Sequence, residues 1–72
     1  MEVILIEKAS GREIARCRDD NLAYTLAECV VERKTYSMLD GGSERIYRVL
    51  GVHIQGLVAH ALIRWVETIY DE

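Results

Sequence analysis

Seventy-two residues can close around one hydrophobic core and not two, and that shortness limits every later reading. A folded chain of this size hides about 60% of the surface its unfolded form exposes, which leaves a thin core. Its radius of gyration scales to about 11 Å, too little depth for a walled substrate cleft. Half the residues are hydrophobic and 29% are charged, which sets the chain apart from disordered sequences. With no proline and five glycines, neither a linker nor a loop-dominated scaffold fits. A formal charge of −3 has the wrong sign for a general nucleic-acid binder and is too small to imitate a polyanion.

Cys17 and Cys29 are the two cysteines, without a CxxC motif and without a histidine at metal-ligand spacing. A secreted domain this small would carry two to four disulfides as a rule, so both thiols are expected reduced, in a cytosolic protein. The N-terminal run Val3-Ile4-Leu5-Ile6 is shorter than the ~7–15 residues of a signal core and follows an acidic residue. No stretch approaches the ~18 apolar residues of a membrane span. Cys29 falls on an apolar helical stripe and Cys17 opposite the arginines of its strand, so both are expected to point inward.

Residues 2–8 and 13–18 read as strands joined by the turn residues Ala9-Ser10-Gly11-Arg12, a β-hairpin. Asp19-Asp20-Asn21 carries helix N-cap chemistry, and Leu22, Ala23, Leu26, Ala27, Cys29 and Val30 recur at helical spacing, so the first helix spans roughly 20–34. Thr35–Leu39 fits either an extension of that helix or a strand. Asp40-Gly41-Gly42-Ser43 is a strong turn, and 44–50 is read as a strand ended by Gly51. Ile54, Leu57, Val58, Ala61, Leu62, Trp65, Val66 and Ile69 then follow the helical period, with His53, His60, Arg64, Glu67 and Asp71 on the other side. A weak similarity at an offset of 32 residues supports the same layout twice. The expected fold is therefore α+β: a small antiparallel sheet of two hairpins with two helices on one face, in ββα-ββα order.

On that helix, His53 and His60 stand two turns and roughly 10.5 Å apart, too far to share a metal. Asp19-Asp20 is explained by capping, and Ser10, Ser37 and Ser43 have no neighbouring base. Asp40-Gly41-Gly42-Ser43 lacks the lysine and helix of a phosphate loop. Neither an enzymatic activity nor a cofactor is expected.

Arg12, Arg16 and Arg18 recur at period two, with Ile14 among them and Arg48 extending the patch from a neighbouring strand. Such a stripe is either a solvated sheet face or a contact surface, and an isoleucine amid arginines favours a protein partner. Tyr24, Tyr36 and Tyr47 are also residue types common at interfaces. The apolar width of the last helix predicts self-association, with Ala59, Ile63 and Tyr70 facing a second subunit. The functional expectation is a small non-enzymatic module that inhibits or regulates a macromolecular partner. A homodimeric nucleic-acid-binding regulator is the alternative. Small size, acidic charge and mixed α/β character also suit the accessory proteins of phages and mobile elements, anti-CRISPR inhibitors among them, although no motif ties a residue here to that class.

Overall fold

Val3, Ile4 and Leu5 are all buried, so the first strand belongs inside a sheet, with a paired strand along each edge, rather than at its rim. The computed structural model, which describes residues 1–70, supplies both. Strand β1 (Glu2–Glu7) pairs antiparallel with β2 (Glu13–Arg18) and parallel with β5 (Val58–Tyr70). Strands β3 (Thr35–Asp40) and β4 (Ser43–Gln55) complete a five-stranded mixed sheet in the order β2-β1-β5-β4-β3. One helix, α1 (Asp20–Glu32), packs on one face. Asp71 and Glu72, the first of them expected on the last helix's polar side, lie outside the described residues.

The expected first hairpin and helix are present. Asp19 caps α1 by accepting from the backbone N–H groups of Asn21 (2.9 Å) and Leu22 (3.2 Å), and Arg33 ends it in the left-handed conformation. Residues 35–40 resolve as a strand, and the turn Gly41-Gly42 has positive φ at both positions, the pattern of a type I′ hairpin.

The second helix is absent among the described residues. Residues 54–69 belong to the long antiparallel ribbon β4–β5, so the ββα-ββα order, the all-antiparallel sheet and the internal repeat are corrected together. Gly51 lies inside β4 rather than ending it. The ribbon turns through Gly56-Leu57, with positive φ at Gly56 alone, as a type II′ turn requires. Two periods coincide in this stretch: Ala59, Ala61 and Ile63 alternate inward at period two, while the apolar residues between them give a helical appearance. What decides between them is β1, whose second edge would otherwise be left with an unpaired ladder of backbone N–H and C=O groups.

The core lies between α1 and the sheet. Leu26, Ala23 and Cys29 of the helix meet Val3 and Leu5 of β1, Tyr47 and Val49 of β4, and Ala59, Ala61 and Ile63 of β5. Bulges fall at Ile14 in β2, Leu50 in β4 and Val66 in β5, where the pairing register skips one residue. Each adds twist, which curls the sheet. The molecule is elongated, 41 × 24 × 23 Å, whereas a thirteen-residue helix covers only about 20 Å. The far end of the ribbon therefore leaves Trp65 and Tyr70 exposed on the helix side, whereas Leu39 and Ile69, which both flank Glu44, are exposed because alternation turns them to the opposite face.

Candidate contact face

Alternation along the strands decides which residues lie away from α1. His60, Leu62 and Arg64 fall between residues buried beneath the helix or directed towards it, so they occupy the opposite face, which no other element among the described residues covers. Register then assembles that face in rows. His53 pairs with His60, His60 with Ile4, and Ile4 with Arg16, one row across four strands. Beside it run Gln55, Val58, Glu2 and Arg18, and on the other side Gly51, Leu62, Ile6 and Glu13. Further along the ribbon Arg48 is directly opposite Arg64. Ile4 is 7% exposed yet stands apart from the core cluster, as expected for an aliphatic residue walled by the side chains of this second face.

The residues expected at the site separate into three groups. Arg16, Arg18 and Arg48 do share one face, and Arg12 lies in the turn that leads into β2. Ile14 does not join them: it is the bulged residue of β2 and packs against the core, so the centre of the face is supplied by Ile4, Ile6 and Leu62 instead. Ala59 and Ile63, expected at a subunit interface, are fully buried beneath α1, because alternation on a strand turns both inward. Tyr70 is 75% exposed. Of the tyrosines, Tyr24 is exposed, Tyr36 half-buried and Tyr47 in the core. Cys29 is buried as expected, but Cys17 is exposed, because β2 is an edge strand that the helix covers poorly.

The arginines are not equivalent. Arg16 reaches Glu2 through Nη1 (3.0 Å) and Glu13 through Nη2 (2.6 Å), while its Nε also donates to Glu13. The Glu13 carboxyl is held below its ordinary pKa by the hydrogen bond from Arg16, and the Arg16 guanidinium is held above its own by the same bond. Arg16 is thus committed within the chain. Arg18, Arg48 and Arg64 have no acidic group within salt-bridge distance among the described residues. Arg48 against Arg64 is a cross-strand pair of like charges, which works against sheet pairing.

Sequence reading placed Arg64, His53 and His60 on the far side of a helix; as strand residues they join Arg16, Arg18 and Arg48 on one surface. The signal that would have found them is the two-residue Gly56-Leu57 turn, which forces residues 53 and 60 into register. No helix among the described residues is long and apolar enough to cross a membrane. Comparison with known proteins returns no match, whether to a family model, to a curated protein or to a solved structure.

Proposed function

We propose that the protein is a binding module that docks the uncovered face of its sheet onto an acidic surface of a protein partner, and regulates that partner by occupying it. The observation that carries this reading is the opposed pair Arg48 and Arg64, without carboxylate partners among the described residues and beside the partly exposed Leu62 and Val66. Two like charges at directly opposed positions work against the fold, and a partner carboxylate between them would relieve the repulsion through charge-assisted hydrogen bonds. Arginines beside aliphatic side chains are the composition of an interface centre. Glu2, Glu13, Glu44 and Glu67 interrupt the arginines on this face, so it offers no continuous positive track for a nucleic-acid backbone, whereas the Arg48–Arg64 pair is a local site for a single carboxylate.

The pair separates binding from stability by design. Arg64→Glu alone turns a repulsive pair into an attractive one and is expected to raise stability by roughly 0.2–1 kcal/mol. Arg48→Glu with Arg64→Glu restores a like-charge pair of opposite sign, so thermal stability stays close to that of the parent while docking on an acidic surface is lost. The measurement is chemical cross-linking in the source cell followed by affinity capture, with parent and double variant compared, and melting curves recorded for both. A protein captured by the parent and lost with the double variant supports the reading; an unchanged set of captured proteins contradicts it. A captured species that disappears on nuclease treatment, with affinity falling steeply with salt, would replace it by the nucleic-acid alternative.

A further inference from the structure

His53 and His60 are the two histidines of the chain, and the fold sets them directly opposite each other. The type II′ turn fixes the sequence of pairs Gln55–Val58, Ile54–Ala59 and His53–His60, so their meeting follows from the register of the ribbon. Both point away from α1, because Ala59 and Ala61 on either side of His60 are buried under the helix and Val52, beside His53, packs on the core. Both are exposed, and neither imidazole makes a hydrogen bond among the described residues. Each therefore keeps a nitrogen lone pair available on an open surface.

Directly opposed residues of an antiparallel pair have Cβ atoms about 4.5–5.5 Å apart. Two nitrogens bound at about 2.0–2.1 Å to one tetrahedral ion stand roughly 3.4 Å from each other, a separation that two imidazoles on such a pair can reach by rotation about χ1 and χ2. Imidazole suits zinc, copper and nickel rather than magnesium or calcium. One chain supplies only half of a tetrahedral set: no group of three or more His, Cys, Asp or Glu side chains is placed to hold an ion among the described residues. The carboxylate of Glu13 is tied to Arg16. The uncovered face offers the missing half, since a second copy related by a two-fold axis brings its own His53 and His60 to the same point. Sheets stack about 10 Å apart, so an ion midway is within reach of a histidine from either side.

We propose that His53 and His60 are a two-imidazole chelate for zinc, and that two copies of this chain close a four-nitrogen tetrahedral site and so dimerise on metal binding. The test is zinc sulfate titrated into the protein, followed by calorimetry and by light scattering. The expected result is one ion per two chains and a doubling of the 8.2 kDa mass, reversed by a chelator. His53→Ala or His60→Ala should each weaken zinc binding by at least the ~10-fold that loss of an outer-shell partner costs, and the double variant should stay monomeric. Both side chains are exposed, so circular dichroism should show all variants folded, and His60→Gln gives a second, polar replacement at the same position. Absence of zinc binding overturns the proposal, as does one ion per chain without a change of mass, or dimerisation that survives the double variant. Partner capture in the presence of chelator keeps Arg48 and Arg64 available, which separates failure of this site from failure of the docking face.

Discussion

Replacing Leu26 by alanine is expected to remove about 2–5 kcal/mol of stability, the range for truncating a fully buried leucine. Leu26 is the largest side chain that the helix places wholly inside, between β1 and the β4–β5 ribbon. A chain of this size has about 4–11 kcal/mol in total, so a large fraction of the fold depends on one residue. Among the described residues one helix covers the sheet, with no second element on that side to collapse into the vacated space. Urea unfolding should show the midpoint falling at unchanged slope. A loss below about 1 kcal/mol would mean that α1 does not seat on the sheet as described.

The second large effect has the opposite cause. Ala59 and Ala61 are small where α1 approaches the ribbon, and both are fully buried. Ala61→Leu is expected to push the helix off the sheet and to cost about 1–3 kcal/mol or more, the penalty of overpacking. Leu62→Gln, at the neighbouring position, should cost far less, because Leu62 faces away from the helix and is 37% exposed. On a helix both residues would belong to one apolar stripe, and Leu62→Gln would be severe as well. Thermal melts of the two variants therefore also test the secondary structure.

The parts of this fold written in local chemistry were legible. Asp19 announces the helix start, Gly41-Gly42 the tight turn and Gly11 the first hairpin, and each is found where its residue type demands. Residues 54–69 were not, because a strand apolar on one face and partly apolar on the other satisfies the helical period as well. The deciding term is non-local: β1 lies inside the sheet and pairs in parallel with a partner some fifty residues away, which no window on β5 contains. The candidate face was half legible for the same reason. Arg16, Arg18 and Arg48 were placed together by strand alternation, whereas Arg64, His53 and His60 join them only once β5 is a strand. Ile14 was misplaced by a bulge, since one skipped residue moves a side chain to the other face.

Both the docking face and the metal chelate depend on the pairing of β4 with β5, and that pairing can be measured directly. In a nuclear Overhauser spectrum of the labelled protein, cross-strand backbone contacts are expected between residues 53 and 60, 52 and 61, and 49 and 63, with the register skipping at Leu50. Residues 54–69 should lack the i to i+3 contacts of a helix. Sequential amide contacts and i to i+3 contacts running through that stretch, with no cross-strand contact between 53 and 60, would contradict the account.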